Sequence, residues 1–589
     1  MENLTGTGGN DTFIAGSQAG LATLNAGDTI NGGSGNDVLK IFNEAGALSA
    51  ANFATANISS VESVEATLSA SAQTLNVSGN AGVTSVSLVN GFDGVVTAKL
   101  AQAAGLSGTI NTTGAAATFT YVDNTGGADT ATLNLNNAAL LNAAGAGNGV
   151  SIAGVETLNI AATGTNVLGN LAAAAATKLV VTGAGSLSTT LTGTATKTID
   201  GSAATGNLTI NNAAATAAVE SIKTGTGNDT YTTVYANLTK DDVIDLGAGT
   251  DSLRFSDSAT FNDAATKARL EKVTGVEQLG VVTTATTLTV DGDFVAQTSY
   301  YVAGATANAV LTNIANNADI TFGKTDVAAN VTGANTIGMK LGANTLNVNL
   351  AGSATGAAVV GGVVATAGDG LAVTGSATIN VKSTGTDGQP NNVLDLTAAD
   401  NQSVVVTGSQ NLTLTAKAAT GTTGFSIDGS AFTGKLTVTG TAATDIVKGG
   451  AGNDVISGGV GAVSDTLTGG AGADKFIIIA GNTAATADVV TDFLTKTDKI
   501  DFNATGAGVA LAAAGDFTKA TGVVADFAAA LAAANLVLTN AAGTKQVNVQ
   551  QVGSDAWVFF NDGGAAGADQ VVKLTGVALA GIEFADLLA

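Results

Sequence analysis

Short stretches in which apolar and polar residues alternate recur along most of this 589-residue chain. Alternation with a period of two residues is typical of β-strands that are buried on one face only. Gly and Asn, which favour turns, separate the stretches. The pattern predicts an all-β protein of many short strands joined by short turns, either a β-solenoid or stacked β-sandwiches. Seven stretches show it most clearly, at residues 74–77, 132–135, 157–160, 207–210, 345–348, 411–414 and 435–438.

Three segments have a pattern that favours a short helix instead: residues 48–56, 263–271 and 523–535. In the last of them Phe527 and Leu531 are four residues apart, so that a helix would place them on one face. The expected fold is therefore a β-solenoid or β-roll with a few short helices.

A second pattern is rich in glycine and aspartate. Residues Gly32–Lys40 read GGSGNDVLK and fit the nonapeptide G-G-x-G-x-D-x-U-x, in which U is a large apolar residue. Glycines allow a tight turn with positive φ that directs carbonyl groups inward, and the Asp supplies negative charge. Calcium takes six to eight oxygen ligands of these kinds. Because one repeat makes half a coil, ions would be held between successive turns.

The aspartates of this pattern form three clusters, mostly with an apolar residue two positions later and often nine residues apart. A lone Gly-Asn-Asp is ordinary turn chemistry, but ten aspartates in this arrangement predict metal sites. The predicted ligand residues are Asp11, Asp28, Gly33, Gly35, Asn36 and Asp37 in the first cluster; Asn228, Asp229, Asp242, Gly247, Gly249 and Asp251 in the second; and Asp445, Gly450, Gly452, Asn453, Asp454, Asp465, Gly470, Gly472 and Asp474 in the third.

The nonapeptide resembles the calcium-binding repeat of RTX proteins. The resemblance implies a protein that binds several calcium ions and folds where calcium is plentiful, outside the cell. Residues 487–493 and 497–502 are similar to the segment that follows the β-roll in serralysin-type RTX proteins. Residues 555–589 are similar to the end of type I secretion substrates, where this region is an uncleaved secretion signal. The first residues, MENLTG, lack the basic and apolar regions of a Sec-type signal peptide.

The composition narrows the classes of function. The net charge is −24 with only 22 basic residues, so we expect no nucleic-acid partner, because such partners need a basic surface. No apolar run reaches the 18 residues of a membrane span. The chain has no Cys and no His, which excludes disulfides, the usual zinc ligands and a Ser-His-Asp triad.

A carboxylate-only enzyme, such as a glycosidase, is compatible with this composition. It would need an aromatic-lined cleft, but aromatic residues make up only 4% of the chain and the one Trp lies in the secretion-like end. We therefore expect no enzymatic activity.

A long internal duplication organises the first three quarters of the chain. Calcium repeats, a helix and a Val-Glu pair follow one another twice, and the pairs end at Glu62 and Glu277. The predicted division is two repeat-headed β modules at 1–222 and 223–440, a C-terminal β-roll at 441–502, and a cap with the secretion signal at 503–589.

The Val-Glu pairs, which also end at Glu156 and Glu220, allow two interpretations. The simpler one is the start of a strand with a solvated carboxylate, and we favour it because Glu is rarely buried unpaired. In the other, each Glu caps a turn or contributes an oxygen to a structural ion.

Taken as a whole, the chain resembles RTX-type bacterial surface-layer proteins in its Cys-free, acidic, Ala/Thr/Gly/Asn-rich body and its spaced calcium clusters. That resemblance implies a secreted protein whose copies form a calcium-dependent lattice on Gram-negative cells, anchored by lipopolysaccharide or another surface component. The alternative is a secreted RTX adhesin or a biofilm-matrix or filament protein, which a dedicated sugar- or ice-binding module would favour.

Overall fold

The computed structural model is a β-solenoid of about 18 turns, and strands account for 53% of it. The predicted all-β fold is confirmed. The structure describes residues 2–18, 21–25, 27–43, 56–70, 73–80, 82–112, 116–141, 149–214, 219–283, 286–304, 307–323, 334–342, 345–352, 358–360, 370–385, 392–418, 423–461, 463–479, 481, 483–502, 516–539, 545–562 and 564–588.

The chain divides into two compact units, one of residues 1–257 and 264–280 and the other of residues 258–263 and 281–589. The division into four parts that the sequence predicts stays a prediction.

The strands of the first unit, with β25 of the second between them in the chain, are β1 (Asn3–Thr5), β2 (Thr12–Gln18), β3 (Leu21–Ala22), β4 (Thr29–Asn31), β5 (Val38–Asn43), β6 (Asn57–Ser59), β7 (Ser63–Leu68), β8 (Gln73–Asn76), β9 (Ser85–Phe92), β10 (Gly94–Ala98), β11 (Ala103–Asn111), β12 (Ala116–Tyr121), β13 (Thr130–Leu141), β14 (Gly149–Ile152), β15 (Thr157–Thr163), β16 (Thr165–Ala172), β17 (Lys178–Gly183), β18 (Ser186–Leu191), β19 (Thr198–Ala204), β20 (Leu208–Asn211), β21 (Ser221–Lys223), β22 (Thr230–Thr233), β23 (Val243–Asp245), β24 (Ser252–Phe255), β25 (Ala259–Phe261), β26 (Val273–Thr274) and β27 (Gln278–Val281).

The remaining strands are β28 (Thr287–Asp291), β29 (Ser299–Val302), β30 (Asn308–Ile314), β31 (Ala318–Phe322), β32 (Ala334–Met339), β33 (Thr345–Ala351), β34 (Val359–Val360), β35 (Gly370–Thr374), β36 (Thr378–Thr384), β37 (Asn392–Ala398), β38 (Ser403–Gly408), β39 (Leu412–Ala418), β40 (Ser426–Phe432), β41 (Leu436–Thr439), β42 (Ile446–Lys448), β43 (Val455–Ser457), β44 (Thr466–Thr468), β45 (Lys475–Ile478), β46 (Asp488–Val490), β47 (Lys499–Phe502), β48 (Phe517–Val524), β49 (Gln546–Val552), β50 (Asp555–Asn561), β51 (Gln570–Leu574) and β52 (Leu587–Leu588).

Two short α-helices lie among the described residues, α1 (Ala264–Lys267) and α2 (Phe527–Val537), together with four 3₁₀ turns. The helix predicted at 263–271 is confirmed as α1 and the 3₁₀ turn that follows it. The predicted start of the last helix at 523 is wrong, because Asp526 is the N-cap and accepts a hydrogen bond from the Ala529 N–H, 2.9 Å away. Most of the helix predicted at 48–56 lies outside the described residues.

Strands two apart in the chain pair in parallel, which is the arrangement of a solenoid with two strands in each coil. In the first unit this stacks buried aliphatic residues in register, coil upon coil. One such column runs through Leu158, Leu179, Ile199, Ile222 and Ile244, none of them more than 3% exposed. Burying each aliphatic side chain contributes about 1.5–3 kcal/mol. The apolar positions of the alternating pattern therefore point into the coil, and the polar positions point outward.

The second unit repeats the arrangement in a column formed by Val404, Ile427, Val447, Leu467 and Val490. The number of residues in a coil varies, however. Where the nonapeptides of the third cluster follow one another, Thr437 pairs with Val455, eighteen positions later. Two nonapeptides therefore make one coil, as the sequence predicts.

The C-terminal residues close the second unit. Strand β50 is antiparallel to both β49 and β51, while β51 and β52 continue the parallel stacks begun by β46 and β47. Aromatic contacts hold this cap: the rings of Phe527 and Trp557 are 4.7 Å apart, and Phe502 stacks on Phe560, also at 4.7 Å.

Candidate calcium sites

The predicted aspartates share one structural position, at the end of a turn and just before a strand. In nine of the ten, all except Asp11, the side chain accepts a hydrogen bond from a backbone N–H of the preceding coil, and we call the resulting rows of stacked carboxylates the carboxylate columns. Such bonds to ionised groups are stronger than neutral ones. The donor and acceptor residues are Glu2 and Asp28 (2.7 Å), Asp11 and Asp37 (2.7 Å), Leu208 and Asp229 (2.7 Å), Glu220 and Asp242 (2.6 Å), Asp229 and Asp251 (2.7 Å), Phe425 and Asp445, Leu436 and Asp454 (2.7 Å), Asp445 and Asp465 (2.7 Å), and Asp454 and Asp474 (2.8 Å).

The second carboxylate oxygen divides nine of the aspartates, all except Asp465, into two groups. In Asp11, Asp28, Asp242, Asp445 and Asp454 it accepts a backbone N–H from the same turn, at 2.6–2.7 Å.

In Asp37, Asp229, Asp251 and Asp474 the second oxygen is buried and has no hydrogen-bond partner within the described part of the chain. A buried charged oxygen without a partner is costly. A bound cation or a proton is needed to stabilise it.

In the first and third clusters the turns before six of the seven aspartates, all except Asp28, begin at a glycine. A Cβ atom added to this glycine would lie within 2.7 Å of a carboxylate oxygen of the same repeat, and at four positions it would also meet a carbonyl oxygen of the next coil. At those four positions carboxylate and carbonyl oxygens converge where the side chain is missing. We call these residues the entry glycines: Gly6, Gly32, Gly440, Gly449, Gly458 and Gly469.

This convergence fits calcium, which prefers carboxylate and carbonyl oxygens in flexible geometry. The fit is clearest at Asp37 and Asp474, since each has an unpaired buried oxygen next to an entry glycine, Gly32 or Gly469. No three Asp, Glu, His or Cys side chains come together as a metal site among the described residues. Any ion held here therefore depends on backbone carbonyl oxygens as well.

The other glycines predicted in the sites serve the turn itself. Positive φ occurs at Gly33, Gly35, Gly247, Gly249, Gly470 and Gly472. Gly450 and Gly452 lack it, and glycine is needed there because a Cβ would collide with backbone oxygens of Phe432 and Gly434 in the preceding coil.

The predicted asparagines lie in an exposed row beside the carboxylates. The side-chain oxygens of Asn228 and Asn453 accept backbone N–H groups of the next coil, from Thr250 and Ala473, both at 2.9 Å. The backbone N–H of Asn36 donates to the side chain of Asn10, also at 2.9 Å. These contacts give the asparagines a capping function that the sequence did not reveal, and a metal-binding role for them stays a prediction.

Glutamates of the Val-Glu pairs extend the carboxylate columns. Glu62, Glu156 and Glu277 accept the backbone N–H of Asp37, Asp129 and Asp251, at 2.7, 2.9 and 2.7 Å. All three pairs lie at strand starts, as the favoured interpretation expects, and their carboxylates also form the caps that the alternative describes. The clue was the spacing, because 25 to 27 residues after the aspartate is one coil. Asp488 and Asp498, also missed, continue the columns beyond Asp465 and Asp474.

Glu220 differs from the other three glutamates because its carboxylate is turned inward. It accepts hydrogen bonds from the Tyr231 hydroxyl at 2.9 Å and the Asn212 amide at 3.3 Å. Burial, opposed by the bond from Tyr231 and reinforced by nearby Asp242, raises the pKa of Glu220 to about 7.

Electrostatics in the columns favour a positive charge. Burial, together with neighbouring carboxylates, raises the pKa of Asp474 and of Asp251 to about 6. Burial likewise raises the pKa values of Asp465 and its neighbour Asp488. Bringing these groups together in ionised form is unfavourable, and a bound cation or a proton would remove that penalty.

Comparison with known proteins agrees with the geometry of the outer clusters. The family model of the RTX calcium-binding nonapeptide repeat (4 copies) matches residues 2–19, 24–40 and 439–475. These segments include the first and third clusters but leave out the second. A search of curated proteins found no match. None of the helices in the described ranges is long and apolar enough to cross a membrane.

Proposed function

Because this chain is an RTX-type repeat protein, we propose that it is a secreted, non-catalytic structural protein whose copies assemble into a surface layer on a Gram-negative cell once calcium has completed their fold. The carboxylate columns carry the proposal. At Asp37 and Asp474 a buried carboxylate oxygen without a partner lies beside an entry glycine, and a bound cation would stabilise it.

Calcium acts on this chain as a switch for folding. Before binding, a net charge of −24 opposes compaction, which keeps the chain extended and suited to export. Outside the cell, sites of this kind have dissociation constants of about 10⁻⁴–10⁻³ M. The free energy of binding then adds to the free energy of folding. In the third cluster, Asp474 and the turn at Gly469 would hold an ion.

Self-assembly is supported by the regular outer surface of the coils. Polar side chains follow one another in rows at the spacing of one coil, about 4.8 Å. Within such rows Ser63 and Ser85 are hydrogen-bonded at 3.1 Å and Asn347 and Asn380 at 2.8 Å. Periodic rows of this kind provide a repeated surface on which copies can align. The resemblance of residues 555–589 to secretion signals supports export by a type I system.

Electron microscopy of the purified full chain tests the proposal, in millimolar calcium and in chelator. We expect ordered sheets only with calcium. The double variant D37N/D474N should form no sheets, because each Asn keeps the acceptor oxygen but loses the charge. The control D241N/D293N changes the net charge equally at exposed positions and should form sheets.

Two other results would count against a surface layer. Filaments in calcium would favour the alternative function, an adhesin or biofilm-matrix protein. Single particles in both conditions would contradict assembly altogether.

A further inference from the structure

We propose that the second cluster, residues 224–255, holds no calcium, and that the side chains of Thr224 and Leu246 occupy the space where an ion would bind. The two residues stand where five aspartates of the other clusters have their entry glycine, five positions before Asp229 and Asp251. The proposal concerns which turns bind calcium and does not depend on self-assembly.

The equivalence of these positions is set by the backbone. The N–H of Gly32 donates to the Ser59 carbonyl at 3.0 Å, and that of Gly449 to the Thr468 carbonyl at 2.9 Å. In the second cluster Thr224 donates to Asp245 at 2.9 Å and Leu246 to Thr274 at 3.0 Å. Each bond reaches a carbonyl in the next coil, so the four residues enter their turns in the same way.

Side chains replace the open space at both positions. The Thr224 hydroxyl donates to the Leu246 carbonyl oxygen at 2.5 Å, which satisfies an oxygen that could otherwise face a cation. The Leu246 side chain is fully buried in the coil. At an entry glycine even one Cβ would lie within 2.7 Å of the carboxylate oxygen. Branched side chains therefore exclude the convergence of six to eight oxygens that calcium requires.

The remaining groups of the cluster do not restore a site. Both oxygens of Asp242 are hydrogen-bonded, to Glu220 and Thr239 at 2.6 Å each. The amide oxygen of Asn228 is bonded to Thr250. Asp229 and Asp251 have one unpaired oxygen each, without an entry glycine beside it. If the proposal is correct, the predicted ligands of this cluster shape and cap the turns instead of binding metal. These residues are Asn228, Asp229, Asp242, Gly247, Gly249 and Asp251.

The number of calcium ions bound per chain, measured by equilibrium dialysis with radioactive calcium, tests the proposal on the full-length protein. The double variant D229N/D251N should bind as many ions as the unaltered chain. Its matched counterpart D37N/D474N, with the same change in charge, should bind fewer. Equal losses in both variants, or a loss in D229N/D251N alone, would overturn the proposal.

A second measurement needs no variant, in case D229N/D251N does not fold. Hydrogen exchange of the unaltered chain is followed while calcium is withdrawn. We expect the amides of β22 and β23 to stay protected at calcium concentrations where those of β42 and β43 have lost protection. Loss of protection in both regions at the same concentration would contradict a calcium-independent second cluster.

Discussion

The second and third clusters have the same carboxylate columns but differ at the start of the turn. In both, one oxygen of each aspartate caps a strand of the preceding coil. The third cluster begins its turns with glycine, whereas the second begins them with Thr224 and Leu246. In our proposal the difference separates two functions of the same aspartate, because capping needs one oxygen and metal binding would need the other oxygen and an open space beside it.

The glycine requirement gives the largest expected effect. Gly449→Leu places a side chain against the Gly469 carbonyl and the Asp454 carboxylate, and should lower the free energy of unfolding in calcium by more than about 4 kcal/mol. Gly8→Leu is the control, since a Cβ there meets nothing within 4 Å. Denaturant titrations of both variants check this. Equal destabilisation of the two variants would show that the fold does not specifically require the absence of a side chain at Gly449.

In the second cluster, removing a side chain at the start of the turn should lower the stability of the fold. Leu246→Ala removes a fully buried side chain and should cost about 3 kcal/mol through the cavity that it leaves. The number of bound calcium ions should not change, because Ala still carries a Cβ. The fully exposed Leu341 supplies a control, and Leu341→Ala should be nearly neutral. Unfolding measurements that rank the two variants alike would contradict the packing function of Leu246.

A pH effect should appear in the coil that carries Glu220. Its pKa is raised from 4.5 to about 7, so the folded chain binds the proton more tightly than the unfolded chain. The resulting stabilisation is complete below about pH 4.5 and is lost as the pH rises through 7. Gln at position 220 does not titrate, so the Glu220→Gln variant keeps its stability as the pH rises. We expect it to be more stable than the unaltered chain by about 2 kcal/mol at pH 8 but not at pH 4. Parallel stability curves against pH would refute this assignment.

The glutamate caps should have the smallest effect. Glu277→Ala leaves the Asp251 N–H without its acceptor and should cost about 1 kcal/mol, with faster hydrogen exchange at the Asp251 amide. Glu277→Gln, which keeps an acceptor oxygen, should restore most of the protection. Glu271→Ala, an exposed change in the same unit, serves as the control. Faster exchange in Glu271→Ala as well would show that the effect is not specific to the cap.

Much of the fold could be predicted from the sequence, because each coil repeats a local rule. Alternating residues such as those at 157–160 are buried or exposed in turn wherever strands stack in parallel. The nonapeptides likewise predict the turn and its aspartate from neighbouring residues alone. The limit lies in contacts between coils: Glu277 caps Asp251 across 26 positions, and no local pattern reveals that pairing.

The same limit applies to the second cluster, whose metal sites stay a prediction that our proposal replaces by turn capping. Leu246 is visible in the sequence, but only the backbone bond to Thr274 shows that it takes the place of an entry glycine. The start of α2 was missed for a simpler reason, since apolar spacing continued past the Asp526 cap into β48.

The unequal lengths of the coils have a geometric consequence. Thr437 pairs with Val455 after 18 positions, whereas Ala334 pairs with Gly370 only after 36, yet both pairs belong to the same kind of parallel ladder. Rise along the stack is thus counted in coils, about 4.8 Å each, and not in residues. Extra residues within a coil therefore add no rise to the ladder, whereas duplication of a whole coil would add one step. Insertions and coil duplications are thus independent changes, and only the second alters the length of the ladder.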